Sequence, residues 1–237
     1  QGEGVAVLFG NYAGDNMNVK MAVQMAEDDD IEVKYVVAND DVASAPKAVK
    51  EQRHGIAGGF FMWKVGGARA AKGGNLDAVI ASAQNVVSRT KSICVGLEPC
   101  VIPALGHSNF KIEDGMMEFG VGHHGEAGTK VEELKSASEI AQEMAETILN
   151  DFDFEEGKEV AVMLSGLGAT PVMELYVLYD EVEKVLAKAG HKVWKTYIGN
   201  YVTSLDMNGA SLTIVDLDDE IKELLSEPAA PIGMKNY

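Results

Sequence analysis

Basic residues are scarce. The chain carries 20 Lys and Arg against 37 Asp and Glu, a formal net charge of −17. A surface of that sign repels phosphate backbones and anionic lipid, which argues against nucleic-acid and membrane-surface partners. Cysteine is nearly absent, with only Cys94 and Cys100. Two thiols in 237 residues make no disulfide framework, and a C-x5-C spacing is not a standard metal pair, so no metal site is expected. Cys94 lies in an apolar run, as a buried free thiol does, and a reducing cytoplasm is the expected compartment. No apolar run reaches the ~18 residues of a spanning helix, and no secretory h-region opens the stretch. No Walker motif occurs either, so no nucleotide site is expected within these residues.

What is present is alternation. Gly4–Phe9 is a short apolar run of buried-strand type. The loop Gly10–Asp15 follows, then helical spacing through Met17, Met21, Val23, Met25 and Ala26, then a second strand at Ile31–Val37. That order makes a βαβ unit with its loop at a strand's C-terminal end, where α/β proteins place ligands. The methionines read mostly as core filler. Helical spacing returns at Phe60–Lys72 and Leu76–Arg89, with Gly73-Gly74 between them. Ser92–Leu97 reads as a strand, Gly106–Gly128 as irregular, and Lys135–Asn150 as an amphipathic helix. Strands follow at Glu159–Ser165, His191–Ile198 and Ser211–Leu217, with helices after Pro171 and over Asp218–Leu225. The expected fold is α/β: two α/β lobes with mixed sheets flanked by helices and the active site between them. The expected division is 1–91 for the first lobe and 92–237 for the second.

The densest chemistry lies in Gly120-Val121-Gly122-His123-His124-Gly125-Glu126-Ala127-Gly128. Glycines let a ligand approach the main chain, and imidazoles titrate near neutrality. In a strand, adjacent histidines would point to opposite faces, so one of the two is expected to face the site. His124 is the candidate nucleophile, since a neutral imidazole attacks carbonyl carbon. Glu126 is placed to fix its tautomer. Asp15 reads as either a general base or a helix N-cap. Gly166-Leu167-Gly168-Ala169-Thr170 resembles a phosphate-cradling turn before a helix, which would suit a module binding a phosphorylated metabolite. His107 and Ser108 lie in a loop, and His54 and His191 read as solvated.

Six collinear stretches resemble the substrate-binding subunit of dihydroxyacetone kinase. They are Asn11–Asp15 (NYAGD), Asp40–Ala43 (DDVA), Arg53–Gly58 (RHGIAG), Met117–Glu126 (MEFGVGHHGE), Leu167–Pro171 (LGATP) running to Glu174-Leu175-Tyr176, and Thr203–Met207 (TSLDM). The resemblance implies that His124 bonds covalently to a substrate ketone as a hemiaminal. It implies that Asp15 activates the terminal hydroxyl, and that Gly14, Gly122, His123, Gly125 and Glu126 bind substrate. It further implies dihydroxyacetone or a related short ketose as ligand and a homodimer. The phosphoryl donor would be ADP/ATP with magnesium on a separate nucleotide-binding subunit, recharged in many bacteria by the sugar phosphotransferase system. Some relatives are non-catalytic ketose sensors, which is the alternative function.

Three departures stand out. The family's chain begins roughly ninety residues earlier, with a G-H-E-P histidine that acts on the carbonyl side. An incomplete site and an exposed sheet edge are therefore expected here, the rest being a bound fragment or a part left out of this chain. Gly10 replaces a usual lysine. His123 replaces a usual aliphatic residue and Ala127 a usual proline, which leaves a four-carbon ketose open.

Overall fold

The computed structural model describes residues 2, 4–108, 110–153, 157–231 and 234. A six-stranded mixed sheet dominates, with strand order β5-β4-β3-β8-β6-β7. Its strands are β3 (Thr90–Glu98), β4 (Met116–Phe119), β5 (Lys130–Glu133), β6 (Glu159–Gly166), β7 (Lys192–Gly199) and β8 (Asn208–Asp216). Only β6 and β7 run parallel within it. A smaller parallel pair is formed by β1 (Val5–Gly10) and β2 (Val33–Ala38).

Strand β6 shows why the sheet is covered on both sides. Successive side chains alternate across a pleat. Val160, Val162 and Leu164 face α4 (Ala137–Asp151) and α5 (Val172–Lys188), meeting Ile140, Met144, Ile148, Leu175, Val182 and Leu186. Ala161 and Met163 face the opposite layer, made by α2 (Gly59–Ala71), α3 (Leu76–Ser88) and α6 (Asp219–Ser226), through Phe61, Met62, Val65, Val86, Ile221 and Leu224. A strand buried on both faces reads as an unbroken apolar run, as Val160–Leu164 does. The second layer draws on residues before and after position 91, so the segments 1–91 and 92–237 share that cluster.

Local signals set the helix ends. Ser136 and Glu139 form a reciprocal capping box at the start of α4. Asn75 caps α3, and Asp218 caps α6. Pro171 sits at the N-cap of α5, one residue outside the helix rather than in its first turn.

Two expectations fail. The irregular segment 106–128 contains β4, and β5 follows it unforeseen. The other failure is α1 (Ala13–Asp28), which buries no residue. Met17, Met21 and Met25 are 55–64% exposed there, so these methionines are not core. Met62, Met117, Met144, Met163 and Met207 are. Among the described residues β1 and β2 pair with each other alone.

Candidate functional site

The chain leaves β4 into a closed turn. Gly120 N–H donates to the Cys94 carbonyl at 2.7 Å, and Thr129 N–H donates to the Phe119 carbonyl at 2.8 Å. Glu118, buried at the end of β4, accepts Gly128 N–H at 2.6 Å. Within the turn, Gly122 N–H donates to the Glu126 carbonyl at 2.8 Å and Gly125 N–H to the Gly122 carbonyl at 3.2 Å. The Glu126 side chain folds back over Gly122 so closely that a Cβ there would lie 2.3 Å from its Oε2. Position 122 is therefore glycine for reasons of space.

Glu126 holds His124 at two points. Its Oε2 accepts His124 N–H at 2.9 Å, and its Oε1 lies 3.4 Å from His124 Nδ1. A carboxylate beside Nδ1 keeps the ring proton there and leaves the Nε2 lone pair free. The His124 side chain is 56% exposed, so that nitrogen is within reach of a ligand.

His123 and His124 are not split across two faces, because the backbone here is a turn and not a strand. Their ring centroids are 4.8 Å apart. Both line one pocket of about 350 Å³, together with Cys100, Ile102, Thr203, Ser204 and Leu205. The 203–205 part of the lining is held by the 166–170 turn. Gly168 takes φ +134°, where a Cβ would come 1.9 Å from the Leu205 carbonyl oxygen, and Ala169 N–H donates to Met207. Thr170 Oγ1 is engaged by Asn208 and Gly209. That turn packs against the 203–207 segment and braces the pocket wall. Ile56, Cys94, Cys100, Val121, Leu167 and Met207 form a small apolar cluster beneath.

Residues around β1 and β2 meet this turn through Tyr12. It is the N-cap residue of α1, which removes the capping reading of Asp15. The Tyr12 ring stacks on His54 at 4.8 Å and sets its edge against His124 at 4.4 Å and 62°. Its hydroxyl is buried without a hydrogen-bond partner among the described residues. Burial, reinforced by the Glu126 and Asp41 charges, holds that phenol well above its usual range. Burial likewise pushes the Asp41 carboxyl up to about 7, with Asp40 adding to the effect. Asp40 is itself raised by burial and accepts Ile56 N–H at 3.1 Å and Gly58 N–H at 2.7 Å. Asn11 donates to the Arg53 carbonyl at 2.6 Å, tying the first motif to the third. Arg53, almost fully buried, makes a bidentate pair with Asp151 at 2.7 Å for each bond.

The structure thus brings together His123, His124, Gly122, Gly125 and Glu126. Asp15 and Gly14 lie exposed on the first turn of α1, outside the pocket lining, with Asp15 three residues beyond Tyr12. His107 is exposed and bonded to its neighbour Ser108. Tyr12 and His54 were missed as site residues. Only their places in the NYAGD and RHGIAG stretches pointed to them. Among the described residues no group of three or more His, Cys, Asp or Glu is gathered for a metal, and no helix is long and apolar enough to cross a membrane.

Residues 1–232 match the Dak1 domain family. A PTS-dependent dihydroxyacetone kinase 1 dihydroxyacetone-binding subunit, DhaK, from Listeria innocua is 40% identical over 220 residues, covering 93% of this chain and 67% of that subunit. A D-erythrulose kinase from Mycolicibacterium smegmatis is 37% identical over 226 residues, covering 95% of this chain and 39% of the relative. Among solved structures, the dihydroxyacetone kinase operon co-activator Dha-DhaQ superposes with a TM-score of 0.90 at 29% identity, over 96% of this chain and 71% of that one. The family match over residues 1–232 and the 40% identity over 93% of this chain carry one conclusion: the chain belongs to the Dak1 family, that of the dihydroxyacetone-binding subunits.

Proposed function

We propose that this chain captures dihydroxyacetone or a related short ketose as a hemiaminal on His124 and presents its terminal hydroxyl for phosphorylation. The observation that carries this reading is the double hold of Glu126 on His124, which leaves Nε2 as the free nucleophile in the pocket. The step balances simply. The Nε2 lone pair forms the new C–N bond, and the carbonyl π pair moves to oxygen, which takes a proton from water. The Nδ1 proton passes by way of Glu126 to the hydroxide that this leaves, so Glu126 ends as the carboxylate it began. A carbonyl is required, so glycerol is refused although its hydroxyls are alike. Fixing the ketone also orients the terminal hydroxyl, an advantage of the kind that intramolecularity gives. Asp15 is the base for that hydroxyl. ADP/ATP with magnesium sits on a partner nucleotide-binding subunit, recharged through the phosphotransferase system. The protein acts in the cytoplasm as a homodimer.

A second reading, a ketose sensor that does not phosphorylate, is favoured by two observations. Asp15 stands outside the pocket lining, and a co-activator is among the structures that superpose. The two readings separate on turnover. With a charged donor subunit and dihydroxyacetone, the kinase reading expects a phosphate ester to accumulate catalytically. Capture without any ester would leave the sensor.

A further inference from the structure

His123 is not accounted for by the reading above. Its ring lines the same pocket as His124 with centroids 4.8 Å apart, so it borders whatever bonds to His124. Its Nδ1 is buried and has no hydrogen-bond partner among the described residues. A neutral imidazole has one N–H, and a buried N–H left unpaired is rarer and costlier than an under-used acceptor. The stable tautomer therefore buries the Nδ1 lone pair and carries its proton on Nε2. Burial, helped by the neighbouring His124 and opposed by Glu126, lowers the His123 pKa, so the ring stays a neutral donor at working pH. A neutral imidazole is a sound partner for developing negative charge on a carbonyl oxygen, since it donates a hydrogen bond without surrendering its proton.

We infer that His123 is a further catalytic residue, donating Nε2–H to the ketone oxygen while His124 attacks the carbonyl carbon. This rests on covalent capture at His124. His123 keeps its proton throughout; the hydroxyl proton of the hemiaminal comes from water. Three other lining residues carry polar side-chain groups, the Cys100 thiol and the Thr203 and Ser204 hydroxyls. His123 is the direct chain neighbour of the nucleophile, and its ring is the one whose centroid lies 4.8 Å from that of His124.

The test uses the intact protein and ketones labelled with carbon-13 at the carbonyl. The rate at which the tetrahedral signal appears is followed for the unsubstituted protein, His123→Leu and His123→Gln. His123→Leu is expected to slow capture about a hundredfold, the usual effect of removing one oxyanion donor. His123→Gln, whose Nε2 stands near the lost donor, is expected to restore part of the rate. The loss must also be the same for dihydroxyacetone and hydroxyacetone, which share the carbonyl and differ in one hydroxyl. An unchanged rate in His123→Leu overturns the inference while capture itself stands. A loss seen with dihydroxyacetone alone overturns it too, because His123 would then be holding a hydroxyl. No tetrahedral signal in the unsubstituted protein removes the reading beneath it. Near-ultraviolet circular dichroism checks that each variant is folded.

Discussion

Glu126 reaches His124 through both of its oxygens, one on the backbone N–H at 2.9 Å and one 3.4 Å from Nδ1. Position and tautomer are thus set by one side chain. Glu126→Gln keeps an acceptor for the backbone N–H but turns an amide toward Nδ1. The ring proton then moves to Nε2, and the nucleophilic lone pair is lost. Capture of labelled dihydroxyacetone is expected to slow by about a hundredfold or more, with little change in melting temperature. An unchanged capture rate would separate Glu126 from the chemistry.

If Asp15 is the base for the terminal hydroxyl, its removal separates capture from transfer. Asp15→Asn is expected to leave the tetrahedral signal intact and to cut phosphate-ester formation with a donor subunit by about a hundredfold. Two assays on one variant decide this. A loss of both would make Asp15 a structural residue, and a loss of neither would favour the sensor.

Asp41 gives stability a defined pH dependence. Its carboxyl is raised from 3.8 to about 7 by burial, beside Asp40. A group that binds its proton more tightly when folded stabilises the fold most below its unfolded value, and that contribution is lost as pH rises through the folded one. Urea midpoints are expected to fall from about pH 4 to about pH 7 and then level. Asp41→Asn carries no such proton, so its midpoints should fall less over this interval. Asp40, also raised by burial, contributes in the same direction and remains in the variant. Parallel slopes for the two proteins would contradict the assignment.

Arg53 and Asp151 test the brace behind the site. Their side chains are 2% and 11% exposed, and removing one partner strands the other's charge. Arg53→Leu is expected to cost about 3–5 kcal/mol in urea unfolding. Asp151→Asn should fall in the same direction by less, because the amide oxygen still accepts one bond. A cost below about 1 kcal/mol for Arg53→Leu would mean the pair is worth no more than a surface bridge.

Much of the fold was legible because its signals are local. The apolar run of β6 and the helical spacing of α2, α3 and α4 each follow from short-range chemistry. The short strands β4 and β5 were not, since Met116–Phe119 and Lys130–Glu133 are four residues each and β5 is almost wholly polar. Their pairing is decided by the turn between them. The exposure of Met17, Met21 and Met25 was illegible for another reason. Helical spacing shows that a face exists, but not whether anything packs on it. At the site, His124 and Glu126 declared themselves by composition. Tyr12 did not, because it reaches His124 from more than a hundred positions away in sequence, and only folding joins the two. The joint placement of His123 and His124 was misread by assuming a strand where the glycines make a turn.

The proposed function depends on a covalent bond between His124 and the ketone. The direct measurement is carbon-13 NMR of the intact protein with carbonyl-labelled dihydroxyacetone, read for a tetrahedral carbon bonded to a histidine nitrogen, with His124→Ala alongside. That signal is expected in the unsubstituted protein and is expected to disappear in the variant, with His123 still present. A signal that persists in His124→Ala, or none in the unsubstituted protein, would contradict the proposed function.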